Sequence, residues 1–288
     1  MNWRLTALLG IGVVAIMGCE PADTGGGGGV GGHVAYISAD NRLAASLDSG
    51  SDLHLLTAAG ASPADPALSR TGSTIAFAFS SQPNATVRGI WITSFAAGST
   101  PSSLAEPAAG ETFSSPSWDP ASSTIFFVST SSSGSRIMKI SSSATPGTAP
   151  TEVSSTVSGV KWIAVVSNSV LIATSGSNND LVSVNPSTGA ASGLLGVSTS
   201  SKPAAAADGN HIAYSVSGSG SHIVVRDLTS NTDVSIPSSG KGGDANPSFS
   251  ADSANVAFDA GGQIFFAKAD GTGSVQFLVG GTSVSWGP

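Results

Sequence analysis

One apolar triplet recurs along this chain, and its recurrence limits the fold more than any other feature. It reads Val34-Ala35-Tyr36, Ile75-Ala76-Phe77, Ile125-Phe126-Phe127, Val170-Leu171-Ile172, Ile212-Ala213-Tyr214 and Val256-Ala257-Phe258. The third residues stand 41, 50, 45, 42 and 44 positions apart. A second element precedes most triplets: Pro66-Ala67-Leu68-Ser69, Pro116-Ser117-Trp118-Asp119, Val160-Lys161-Trp162-Ile163, Pro203-Ala204-Ala205-Ala206 and Pro247-Ser248-Phe249-Ser250. A third follows, as in Ile90-Trp91-Ile92, Leu181-Val182-Ser183-Val184 and Ile223-Val224-Val225, and a shorter fourth run closes each unit. Four short strands in about 44 residues, punctuated by Gly, Ser, Asn and Asp, is the period of a propeller blade.

A lone four-stranded sheet cannot hide both faces, whereas radial stacking lets each blade cover its neighbours. That explains a second strand apolar at both parities, since a strand buried on both faces does not alternate. Alanine in the middle of most triplets lets blades approach closely near the axis. The first unit begins at its second strand, and Ser283-Val284-Ser285-Trp286-Gly287-Pro288 at the C terminus matches the strand it lacks. The expected fold is therefore all-β: a six-bladed β-propeller of four-stranded antiparallel blades, the first blade completed by the C-terminal strand. The blades run 33–57 with 282–288, then 63–106, 111–155, 157–197, 199–238 and 242–280. Closing the ring removes a sheet edge that would invite aggregation.

Composition agrees with this and excludes several functions. The 288 residues include 53 Ser and 36 Gly, and only 10% are charged, too few for a coiled coil or long-helix protein. The 40% apolar content is too high for a disordered chain. Eleven basic residues against eighteen acidic ones give a net charge of −7, which argues against nucleic acid as a partner.

The N terminus reads as an address. Residues 1–18 carry one charge, Arg4, and a short apolar run from Leu5 to Met17, below the roughly 20 residues of a spanning helix. The run ends Ile16-Met17-Gly18-Cys19, which resembles the bacterial lipobox, and Cys19 is the single cysteine. The resemblance implies a lipid on the Cys19 thiol, followed by a tether over 19–32 that is rich in Gly. Cleavage removes Arg4 and leaves ten basic against eighteen acidic residues, a net −8. Such a surface has no attraction for anionic headgroups, so the lipid alone would hold the domain to the membrane. Glu20, in place of Asp, favours the outer membrane in Gram-negative sorting. The expected location is the bacterial cell envelope, anchored by lipid on a periplasmic or surface face.

The pattern Pro247-Ser248-Phe249-Ser250-x-Asp252 followed by Val256-Ala257-Phe258 resembles the WD40-like repeat of the TolB-type six-bladed propellers. Asp208-Gly209-Asn210 before Ile212-Ala213-Tyr214 is similar to the tight turn of that repeat. The resemblance covers residues 33–288 as architecture. Two units depart from it: the fourth has Val160-Lys161-Trp162 without the Pro or turn Asp, and the second has Arg70-Thr71-Gly72 at the turn.

The sequence offers no catalytic constellation, metal cluster or cofactor motif. Gly26, Gly28 and Gly31 spell G-x-G-x-x-G, but no strand precedes them and no helix follows, so they read as linker. His33, His54, His211 and His222 lack ligand spacing. Asp119, Asp208 and Asp252 read as turn residues that bond their own backbone. Trp118, Trp162 and Trp286 share a repeat position and read as core between blades. The Asn84-Ala85-Thr86 sequon carries no expected role. The residue before the Pro or Val of each innermost strand should line the mouth of the central channel: Asp65, Ser115, Gly159, Lys202, Asn246 and Ser283. A ring of polar groups at a concave mouth suits a ligand or a partner's loop, and the 80–89 and 217–222 connections lie on the same face. The expected protein is a monomeric, non-enzymatic module, tethered to the membrane, that binds an envelope protein or a peptidoglycan-associated or other cell-wall component. The alternative is an envelope polymer hydrolase or lyase, with Asp65 and Lys202 as the charged candidates at the mouth.

Overall fold

The computed structural model describes residues 32–81, 87–217 and 220–288. The signal segment 1–18, Cys19, the glycines of the G-x-G-x-x-G string and the Asn84 sequon lie outside the described residues. The described chain forms six four-stranded antiparallel sheets, each meandering outward from an innermost strand. The innermost strands of blades 1 to 6 are Thr282–Gly287, Ala64–Leu68, Thr112–Trp118, Ile163–Val165, Ala204–Ala205 and Ala245–Phe249. The second strands are His33–Ile37, Thr74–Phe79, Thr124–Ser131, Leu171–Ser175, His211–Val216 and Asn255–Ala260. Blade 1 takes its innermost strand from the C terminus, with Trp286 opposite Val34 and Ser285 opposite Ala35.

Packing follows from the apolar second strands. Six buried clusters form, one at each interface between blades. Phe77 and Phe95 pack between blades 1 and 2 with Ala35 and Leu43, and Phe113, Trp118 and Phe127 pack between blades 2 and 3. Ile163, Val165 and Leu171 join blade 3 to blade 4, and Ile172, Ile212 and Tyr214 join blade 4 to blade 5. Phe249, Phe258 and Phe265 lie between blades 5 and 6, and Val34, Tyr36, Ile264 and Val284 seal blade 6 to blade 1. Both faces of the second strand are consumed in this way, one by each neighbouring blade.

Strand register corrects the reading of blade 4. Val165 lies opposite Leu171 and Ile163 opposite Ala173, just as Trp118 lies opposite Ile125 in blade 3. The triplet of blade 4 is therefore Leu171-Ile172-Ala173, and Val165 occupies the place expected for Trp162. Trp162 is half-buried beside the innermost strand, with Lys161 Nζ 5.9 Å from its ring centroid.

The seam is held by specific contacts. A single residue, Gly281, separates the outer strand of blade 6 (Gln276–Gly280) from the closing strand. Its φ is +149°, and a Cβ there would lie 2.7 Å from both the Ile37 carbonyl oxygen and the Tyr36 ring, so only glycine fits. Asp259, in the second strand of blade 6 and 7% exposed, receives hydrogen bonds from Asn246 Nδ2 at 3.0 Å and from the Ser283 backbone N–H of the closing strand. Within blade 5, Arg226 holds Asp233 in a bidentate pair at 2.7 Å, and it donates across to the Leu195 carbonyl of blade 4 at 2.6 Å. Burial, with Asp233 adding to it, pushes the neighbouring Tyr214 hydroxyl up to about 12.

Replacing Asp259 with Ala strands two buried donors at the seam, and we expect a loss of about 1–3 kcal/mol, read as a lower urea midpoint. The pH dependence has a definite sign. Burial raises the Asp259 carboxyl above its usual value of 3.8. Its protonated form therefore favours the fold below that value, and this contribution is lost as pH rises through the raised one. Against Asp259→Asn, wild type should lose relative stability between acid and neutral pH, and a flat difference would contradict this account.

Candidate functional site

Four of the innermost strands begin with the same distortion. In blades 1, 2, 3 and 6, three steps along the inner strand match two along its partner, for example from Ala64 to Ala67 against Ala78 to Ala76. The extra residue is a bulge, a device that re-aims a side chain. At these bulges Asp65, Ser115, Asn246 and Ser283 have φ of 51°, 52°, 49° and 53°. Left-handed backbone at a non-glycine residue costs on the order of 1–3 kcal/mol. Asn41, Asp52, Ser62, Ser122, Asn179, Asn231 and Ser253 share this backbone outside the strands, so what sets the four apart is that they lie within inner strands, at one end of the axis. Blade 4 pairs through this region without a shift.

The bulges turn donors and acceptors sideways into the adjacent blade. Asp65 Oδ2 accepts the Ser115 N–H at 2.9 Å, Ser115 Oγ accepts the Ile163 N–H at 3.0 Å, and Ser201 Oγ accepts the Asn246 N–H at 2.8 Å. A second tier lies deeper. Ser285 Oγ accepts from Leu68 N at 2.9 Å, Ser117 Oγ from Val165 N at 3.0 Å, and Ser248 Oγ from Trp286 N at 2.8 Å. Between blades 2 and 3, where Ala67 has no hydroxyl, Trp118 Nε1 donates to the Ala67 carbonyl at 2.8 Å.

Inside these tiers runs an axial channel of about 320 Å³ lined by all six blades. Asp65, Lys202, Asn246 and Ser283 line it, as the sequence suggested. Two mouth candidates do not. Ser115 is fully buried, its hydroxyl spent on blade 4. Gly159 stands away from the channel against the backbone of Gly176, because blade 4 starts its inner strand later than the repeat implied.

Two cations cross the channel. From blade 5, Lys202 Nζ donates to the Pro116 carbonyl of blade 3 at 3.0 Å. Burial lowers the Lys202 pKa, and the charge of Asp65 opposes this in part. From blade 2, Arg70 Nη2 reaches the carbonyls of Val165 and Ala205 in blades 4 and 5 at 3.4 Å each. Burial lowers the Arg70 pKa too, against the pull of Asp208. Arg70 appeared in the sequence only as a departure from the turn pattern. Its signal was register: it takes the place that Pro120, Ala207 and Ala251 take in other blades.

The remaining candidates sit where simpler chemistry puts them. Asp119 Oδ1 accepts the Ser123 and Thr124 N–H groups, Asp208 Oδ1 those of Asn210 and His211, and Asp252 Oδ1 that of Ala254. His33 stacks on Phe95 at 4.0 Å and His54 meets the same ring edge-on. His211 Nδ1 lies 2.6 Å from Asp208, and His222 lies 3.1 Å from the Gly220 carbonyl. Trp118 is buried core, while Trp286 is half-buried against Phe266.

The six-bladed ring is a TolB-like fold. No protein-family model and no curated protein sequence matches the chain. Solved structures do. TolB from Acinetobacter baumannii aligns at a TM-score of 0.70 and 17% identity over 89% of this chain and 67% of that one. A puromycin-hydrolyzing peptidase from Mycobacterium tuberculosis aligns at 0.57 and 17% over 87% of this chain and 44% of its own. A nidogen/laminin complex aligns at 0.51 and 10% over 88% and 80%. At these identities the likeness is one of fold.

An ammonium drawn out of water with no carboxylate in contact is expensive to keep in a fold. Lys202→Met should therefore be at least as stable as wild type at neutral pH. A base with a lowered folded pKa gains stability as pH rises through that value towards its ordinary 10.5. The advantage of Lys202→Met should thus shrink in alkali, which thermal melts at neutral and alkaline pH would measure.

Proposed function

We propose that the chain is a non-enzymatic binding module of the bacterial cell envelope, lipidated at Cys19 and monomeric, whose mouth face takes an envelope protein or a cell-wall component. The observation that carries the reading is the set of strained bulges at Asp65, Asn246 and Ser283. They place polar groups around one opening of a rigid ring, and strain of this kind collects at sites of recognition. The nidogen/laminin complex supports it from outside, as a case in which a chain of this fold takes part in a protein complex. The lipobox-like Ile16-Met17-Gly18-Cys19 supports attachment to a membrane, with the outer membrane favoured by Glu20.

The competing reading is an envelope polymer hydrolase or lyase at the same mouth. It draws on Asp65 and Lys202, which face one channel, and on the likeness to a peptidase of related fold. An acid–base pair needs hydrogen-bond reach to a substrate proton. Asp65 instead accepts the Ser115 N–H, Lys202 donates to the Pro116 carbonyl, and the two side chains are not bonded to each other, so we favour binding.

Growth with a labelled fatty acid followed by crosslinking in intact envelopes tests the proposal. Wild type should take up label and capture a discrete partner. Cys19→Ala should lose the label, and Ser283→Arg should keep the label while losing the partner. Label on Cys19→Ala would sink the anchor, and turnover of an envelope polymer lost in Lys202→Gln would sink the binding role.

A further inference from the structure

The axial channel presents hydroxyl groups that donate no hydrogen bond among the described residues. The hydroxyls of Ser117, Ser248 and Ser285 line it, and each already accepts a backbone N–H of the adjacent inner strand. A serine hydroxyl has one proton of its own to give. Among the described residues, none of these three protons has an acceptor within hydrogen-bond distance. Several acceptors that face the axis are in use: the Pro116 carbonyl by Lys202, those of Val165 and Ala205 by Arg70, and that of Ala67 by Trp118.

The charges point the same way. Lys202 and Arg70 enter the channel, and among the described residues Asp65 is the one acidic side chain that lines it. Among the described residues, no carboxylate lies within 4.0 Å of either cation. Lys202 uses one of three ammonium protons, and Arg70 makes two long contacts of 3.4 Å. Asp65 acts on Lys202 and Asp208 on Arg70 only from beyond contact distance, so in an acidic protein of net charge −7 two cations stand in the channel without a carboxylate bonded to them.

The spacing suits a small anionic group. Trp118 and Val165 share a register position, so Lys202, on Pro116, and Arg70, on Val165, are anchored about two residues apart along the strands. That is at most about 7 Å along the strands at roughly 3.3 Å per residue, and less where the blade 3 bulge shortens the rise. A carboxylate between them can accept one charge-assisted hydrogen bond of about 2.8 Å from each side. We propose that the channel is a carboxylate-binding site, with the carboxylate held between Lys202 and Arg70 and the hydroxyls of Ser117, Ser248 and Ser285 as further donors. A volume of about 320 Å³ stands at the lower end of ligand pockets. It admits a small organic acid or the last residues of a peptide entering at the mouth. The inference needs neither the lipid anchor nor an envelope partner, so its fate is separate from theirs.

Calorimetry on the full chain in detergent tests it with four probes: glutarate, Ala-Ala-Ala with a free C terminus, the same peptide amidated, and calcium chloride. Glutarate or the free peptide should saturate one site per chain, and the amidated peptide and calcium should not. Glutarate alone would identify the source as a free acid, and the free peptide alone would identify a chain terminus. Lys202→Gln and Arg70→Gln should each weaken binding by roughly tenfold or more, the scale of one hydrogen bond to a charged group. Arg70→Lys should retain part of the affinity, which separates loss of charge from loss of fold. Silence from both carboxylates on wild type, equal binding of the free and amidated peptides, or saturation by calcium would each overturn the proposal. None of these three readings depends on a variant.

Discussion

The ring depends on how its innermost strands treat their unpaired edges. A meandering blade hydrogen-bonds each strand to the next, but the first strand has one edge with no partner. In most sheets that edge is covered or exposed to water. Here it faces the axis, where six edges converge, and the solution is a lateral stitch. A serine hydroxyl from one blade accepts a backbone N–H of the next, as Ser285 does for Leu68, Ser117 for Val165 and Ser248 for Trp286. Each stitch is modest, at about 0.5–1.5 kcal/mol net. Leaving the same N–H buried and unpaired would cost about 1–3 kcal/mol. The stitches therefore matter less as sources of stability than as the condition under which apolar blades can close on a common axis.

Much of this was legible in the sequence, and the reason is periodicity. Stacked blades bury both faces of the second strand, so each repeat must spell an apolar run such as Ile75-Ala76-Phe77 or Val256-Ala257-Phe258 at a similar spacing. The closing strand was legible for the same cause, since Ser283-Val284-Ser285-Trp286 repeats the pattern missing at the start. Blade 4 was the exception. Its apolar residues run from Ile163 to Val166 and again from Val170 to Ile172 without a proline or a turn aspartate to fix the phase. A slip of register changes which face a side chain takes. Trp162 aligned with Trp118 by eye, while hydrogen bonding places Val165 there.

The site was legible only as a location. The rule that the residue before Pro66, Pro116 or Pro247 stands at the mouth follows from where an inner strand begins. It found Asp65, Asn246 and Ser283, but it could not foresee the bulge that sends Ser115 into the wall. Arg70 was invisible to a rule about mouths, because its side chain enters from the opposite end and makes sense only once the register of all six strands is known.

Where repeats diverge, the divergence is informative. A sequence that satisfies one architecture six times can depart from the pattern only where something else compensates. Blades 1, 3 and 6 supply the serine stitches, whereas blades 2, 4 and 5 place Ala67, Ala164 and Ala204 at that position. Two of those three blades, 2 and 5, send Arg70 and Lys202 across the axis. In both, a short alanine at the centre accompanies a long cation from just beyond the end of the inner strand. Both cations contact blades that are not their neighbours, blade 2 reaching 4 and 5 and blade 5 reaching 3. They tie the ring across its diameter, where the stitches tie it only around the rim. The Arg70 contacts, at 3.4 Å, are the looser of the two ties, and Lys202 keeps two further ammonium protons beside its 3.0 Å bond, so the groups that brace the channel are also those that the proposed carboxylate would recruit.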